Sequence, residues 1–130
     1  MRPTCRWGCA GAPNLDTFLS LRQFGRIIPA ISVTTLDRCP TATNTSCCVE
    51  LAGFLSDSTR RATAVCNLVA TAKKQQFGGW NFDQEMMNCA SNTTTQAQFT
   101  EGWVRFLIEL SIAMQAADPT AAISVDICGW

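Results

Sequence analysis

CCVELAGFLSDSTRRATAVCNLVATAKKQQFGGWNFDQEMMNC, residues 47 to 89, is the stretch on which the fold turns. It opens on adjacent cysteines. Cys47, Cys48, Leu51, Phe54 and Leu55 follow the three- and four-residue steps of a short helix, on which the two thiols point in different directions. A second helix begins near Ser58 or Thr59 and carries Ala62, Val65, Cys66, Val69 and Ala70 on one face. It ends with Lys73-Lys74 before Gly78-Gly79, where the basic last turn complements the helix dipole and glycine suits a left-handed cap. After Trp80, Asn81 reads as the cap of a shorter helix ending near Cys89.

Towards the C-terminus, Ser91 to Thr95 is a polar linker. From about Gln96 to Ala117, Phe99, Trp103, Phe106, Leu107, Leu110, Ala113, Met114 and Ala117 form the apolar stripe of the longest helix, which Asp118-Pro119 terminates. Residues 120–130 are an extended tail in which Ile123, Val125 and Ile127 alternate, tethered by Cys128. Towards the N-terminus, Cys39-Pro40 to Ser46 is a loop. The run from Arg26 to Asp37, β-branched but interrupted by Pro29, fits extended chain or a short helix, and its periodicity does not separate the two. Asn14 caps a helix bearing Leu15, Phe18, Leu19 and Arg22, with Gly25 as its stop, and residues 1–13 are an irregular arm pinned by Cys5 and Cys9. The expectation is a single all-α domain, residues 1–130: a compact disulfide-stapled bundle of four to five helices with an extended C-terminal tail.

Composition narrows the compartment and the partners. A chain of 130 residues fits one domain that buries roughly two thirds of its unfolded surface. Eight cysteines at irregular spacing then read as four disulfides formed in an oxidising compartment: the extracellular space, a thylakoid lumen or the mitochondrial intermembrane space. A zinc site needs paired thiolates or histidines; there is no His, and Cys5 and Cys9 are the only close non-adjacent pair, so neither metal nor cofactor is expected. Charged residues make up 15% of the chain, well below the roughly 25% of an average domain, and the net charge is zero. Beyond Arg60-Arg61 and Lys73-Lys74 there is no basic surface to neutralise phosphates, which excludes nucleic acid. No run is long and apolar enough for a transmembrane segment. Met1 to Cys5 lacks the apolar region of a signal peptide, as in a mature chain behind a starting Met or a protein trapped by oxidation in the intermembrane space. Two glycosylation triplets, Asn44-Thr45-Ser46 and Asn92-Thr93-Thr94, agree with secretion.

Cys47-Cys48, a helix reaching Cys66-Asn67-Leu68, then Gly78-Gly79-Trp80-Asn81-Phe82 and Cys89 resemble the plant prolamin superfamily, especially the non-specific lipid-transfer proteins, over residues 39 to 89. Leu68 stands where that family has the second cysteine of its C-x-C, and the first helix lacks the family's first cysteine, so one bridge is missing as a pair. The resemblance implies bridges Cys39–Cys47, Cys48–Cys89 and Cys66–Cys128, leaving Cys5 to pair with Cys9. It also implies about four helices around an apolar tunnel for an acyl chain. Leu51, Phe54, Leu55, Val65, Leu68, Val69, Phe82, Phe106 and Leu110 would line it; the competing view is that these side chains fill a solid core. Neutrality and the absence of Tyr depart from the family, with Asp126 in place of its tail Tyr or Arg, and the helix 96–117 is an extension.

No enzymatic activity is expected. Without histidine there is no Ser-His or Cys-His nucleophile; Asp83 and Glu85 do not share a helix face; Arg105 and Glu109 read as a surface ion pair. Trp103 belongs to the core stripe, whereas Trp7 and Trp130 lie outside regular elements and suit a protein partner. Three functions fit: a secreted binder of a lipid or small apolar ligand, an accessory subunit of a larger assembly, or a secreted defence or effector protein.

Overall fold

The computed structural model describes residues 25–32, 45–83 and 93–126. Among them the order is β1 (Ala30–Ser32), α1 (Thr45–Ser56), α2 (Ser58–Gln75), β2 (Gly79–Asp83), α3 (Thr93–Ala117) and β3 (Ala122–Asp126). The strands form one parallel sheet in the order β1-β2-β3, with Ile31 beside Phe82 and Phe82 beside Val125. Parallel neighbours need crossovers, and crossovers are overwhelmingly right-handed. Two of them stepping in the same direction place α1, α2 and α3 together on one face.

The expected all-α bundle of four to five helices is therefore corrected to three helices and a three-stranded parallel sheet among the described residues. The error sits at residues 78 to 83. Gly79 does not end a helix: its φ of 148° is closed to side chains, and a Cβ there would stand 1.8 Å from the Ala122 carbonyl oxygen. The left-handed cap of α2 is Gln76, with φ 55° and ψ 38°. Beyond it Trp80 and Phe82 turn inward and Asn81 and Asp83 outward, the period of two of a strand rather than the start of a helix. Of the expected tail, Ala122–Asp126 is extended, as a strand paired with β2. At Ala30–Ser32 the undecided stretch is strand. The helix expected over 14–25 and the arm 1–13 lie largely or wholly outside the described residues, as does the loop expected from Cys39 to Ser46 except that Thr45 and Ser46 already belong to α1.

Helix α2 begins on a side-chain cap. Asp57 accepts hydrogen bonds from the Thr59 and Arg60 N–H groups at 2.9 and 3.1 Å and caps α2. Asp57-Ser58-Thr59 matches Asn44-Thr45-Ser46 and Asn92-Thr93-Thr94, so the hydroxyl residues of both glycosylation triplets open a helix. As a result α3 starts at Thr93, inside the expected linker.

The core lies between the sheet and the helices. Trp80 and Phe82 from β2 meet Phe99, Phe106, Leu110 and Met114 of α3, with Ala52 and Leu55 of α1 and Val65 and Ala72 of α2. Phe82 packs edge-on against Trp103 and Phe106 at 5.5 and 5.7 Å. Each large side chain so buried contributes roughly 1.5–3 kcal/mol. Gly102 brings α3 close to α1: a Cβ there would sit 2.7 Å from that of Leu55.

Helix α2 is rotated from its expected face. Arg61, Val65 and Ala72 are buried, while Ala62, Cys66 and Ala70 are exposed. The cause is Arg61, whose guanidinium donates to both Glu109 oxygens and, at 2.6 Å, to the Leu55 carbonyl. Its hydrogen bonds to Glu109 outweigh desolvation and raise its pKa above the ordinary value. Arg105 pairs instead with Glu101, so the expected Arg105–Glu109 pair is replaced. Arg60, which stays exposed, lies over the Phe54 ring.

Candidate functional site

Arg61 meets Glu109, and two to three turns further along α2 and one to two along α3, Val69 and Ala72 meet Met114 and Ala117 across a groove. The two helices therefore run parallel and end side by side at the amino edge of the sheet. The groove between those ends measures about 510 Å³, within the usual range for small-ligand sites. Val69, Ala72, Phe77, Met114, Ala117 and Pro119 supply its apolar walls. Arg26, Lys73, Gln76 and Asp118 supply its polar rim.

One wall is fixed by Arg26, just before β1. Its guanidinium donates to the Asp118 carboxylate and to the carbonyl and hydroxyl oxygens of Thr120. The side chain crosses in front of Gly78, where a Cβ would stand 2.9 Å from that of Arg26. The clasp thus ties the chain entering β1 to the turn entering β3, over the start of β2. The Thr120 hydroxyl and N–H, and then Arg26, hold the Asp118 carboxyl down at about 2. Lys73 differs: among the described residues its ammonium has no carboxylate partner.

Of the residues expected to line a tunnel, Val69 lines this groove. Leu55, Val65, Phe82, Phe106 and Leu110 are core residues, and Leu51, Phe54 and Leu68 pack against them half-buried. Cys66 carries a free, exposed thiol on α2, so it is not bonded to Cys128 in this structure. Cys47 and Cys48 fall in the first turn of α1, in a part whose side chains are not described; Cys5, Cys9, Cys39, Cys89 and Cys128 lie outside the described residues, as do Trp7 and Trp130. Trp103 stacks between Phe99 and Phe106, a packing role.

At the opposite edge Asp83 and Asp126 are register partners on the face of the sheet turned away from the three helices, and Asn81 donates to Asp126 at 2.9 Å while accepting from Ser124 at 2.7 Å. Like charges opposite one another oppose pairing, and the Asn81 amide offsets part of that cost. No group of three metal-ligating side chains is found among the described residues.

The groove escaped notice in the sequence because its parts are far apart. Arg26 and Asp118 are separated by 92 positions. Lys73 was legible only as the basic end of a helix, and Phe77 had no periodic partners. No helix among the described residues is long and apolar enough to cross a membrane. No protein-family model, curated protein or solved structure matches the chain.

Proposed function

We propose that this protein is a small non-enzymatic binding protein that takes up a small apolar ligand, and that it does so in the groove between the ends of α2 and α3. The observation that carries this proposal is the groove: six apolar side chains converge with a few polar groups on one concavity of about 510 Å³. A site for a lipid or similar molecule was expected inside a ring of helices. Here those side chains largely fill the core, and the concavity opens at the edge instead. Eight cysteines in 130 residues support an oxidising compartment, with bridges among cysteines other than Cys66.

The test is displacement of a fluorescent fatty acid from the refolded chain, repeated on Ala117→Trp, which fills the groove from its rim. Saturable binding lost in that variant, with thermal unfolding unchanged, is the expected result. Absence of saturable binding to the native chain ends the proposal.

A second reading, an accessory subunit of a larger assembly, is favoured by the outer face of α3. Val104, Ile108 and Ile112, four residues apart, are 50%, 54% and 65% exposed, an apolar row along one face of the helix. Sedimentation over a wide concentration range checks it: association relieved by Ile108→Glu is expected, and a monomer throughout overturns it.

A further inference from the structure

The ligand's size and charge can also be read from the groove, and this step rests on the ligand-binding reading above. We propose that the groove selects a compact apolar body, about the size of two fused rings, carrying one anionic group, and that Lys73 holds that group.

Length comes first. Along α2 the lining runs from Val69 to Gln76, about 10 Å at a helical rise of 1.5 Å per residue, and along α3 it runs only from Met114 to Ala117. A longer chain would leave the groove and gain nothing further from burial. The walls favour a flat body, because Phe77, Met114 and Pro119 present an aromatic ring, a polarisable thioether and a saturated ring.

Charge decides the rest. Arg26 is already committed to Asp118 and Thr120, and Asp118 is the carboxylate in the lining. Lys73 is the lining cation without a carboxylate among the described residues. The two helix ends differ as well. At α2 the Gln76 N–H bonds the Lys73 carbonyl and the Phe77 N–H bonds the Ala72 carbonyl, which satisfies two of the last four carbonyls. At α3, Pro119 has no N–H for the Gln115 carbonyl, while the Thr120 and Ala121 N–H groups turn to Asp118. Both ends carry the negative pole of their helix; at α2 the basic last turn, Lys73 and Lys74, offsets it, whereas α3 has no cation in its last turn. The anionic group is therefore placed on the α2 side, beside Lys73, with the ring body across Phe77 and Met114.

An exposed ion pair contributes up to about 1 kcal/mol, so the charge preference should be no more than about fivefold. The experiment uses the full chain with 1-anilinonaphthalene-8-sulfonate as fluorescent probe, displaced by naphthalene-2-carboxylate, naphthalene-2-methanol, octanoate or dodecanoate. The carboxylate should displace the probe at a concentration about fivefold below the alcohol, and Lys73→Gln should erase that gap. Dodecanoate should match octanoate to within a few-fold, whereas burial of four more methylenes would improve it more than 100-fold, at roughly 0.8 kcal/mol each. An alcohol equal to the acid, a gap that survives Lys73→Gln, or a large gain with chain length overturns the inference. If the probe does not bind, or binds equally to Ala117→Trp, the ligand-binding reading itself falls. Groove-dependent binding with the wrong selectivity removes only the present inference.

Discussion

Single residues here carry conformations that their neighbours would not predict. Gln76 holds the left-handed cap of α2 at φ 55°, a region that costs a residue with a side chain about 1 kcal/mol or more. Gln76→Gly should therefore raise stability by about 1 kcal/mol, read as a higher midpoint in urea with an unchanged slope. At Asp118 the sign follows from the lowered pKa. With the folded value at about 2 against 3.8 for the free group, the clasp contributes its full stability above pH 4, and that contribution is lost as pH falls towards 2. Asp118→Asn should flatten the stability profile between pH 4 and 2 and leave its slope near neutrality unchanged; an identical acid limb would show that the clasp adds nothing. Trp80 is the contrary case: its buried indole N–H finds no acceptor among the described residues, so part of its hydrophobic gain is cancelled. Trp80→Phe should consequently cost under about 1 kcal/mol in thermal unfolding, far less than a buried Trp truncation.

At the level of elements, the joints between helices and strands are set by backbone approach. Gly79→Ala would drive a Cβ into the Ala122 carbonyl and separate β2 from β3, with an expected loss above about 3 kcal/mol and impaired folding, visible by circular dichroism. Gly102→Ala gains up to about 1 kcal/mol of helix propensity, but the overlap with Leu55 should outweigh it and leave a net loss of about 2 kcal/mol. Arg61 joins α1, α2 and α3 through Leu55 and Glu109. Arg61→Ala, which leaves the Leu55 carbonyl without this donor and opens a cavity, should cost about 3 kcal/mol, whereas Glu109→Gln should cost about 1 because Glu109 is 39% exposed and water replaces much of its charge. Chemical denaturation of the two variants checks the ordering.

For the molecule as a whole, local order was the legible part. The three helices follow from three- and four-residue apolar spacing, from the start near Ser58 and from the stop at Asp118-Pro119, all of which act within a few residues, whereas the starts at Thr45 and Thr93 fall in stretches that read as loop and linker. Low charge and the absence of histidine likewise limited the chemistry without any coordinates. The parallel sheet was not legible, because its strands are only three to five residues long and pair across connections of tens of residues. A five-residue strand with one inward Trp and one inward Phe shows no period that sets it apart from the start of a helix. Only tertiary packing decided that Trp80 and Phe82 lie in a sheet, that Arg61 rather than Ala62 turns inward, and that Arg26, Lys73 and Asp118 border one groove. The reason is physical: helices are specified by neighbours within one or two turns, whereas a sheet edge, a buried ion pair and a binding groove exist only once distant segments have met.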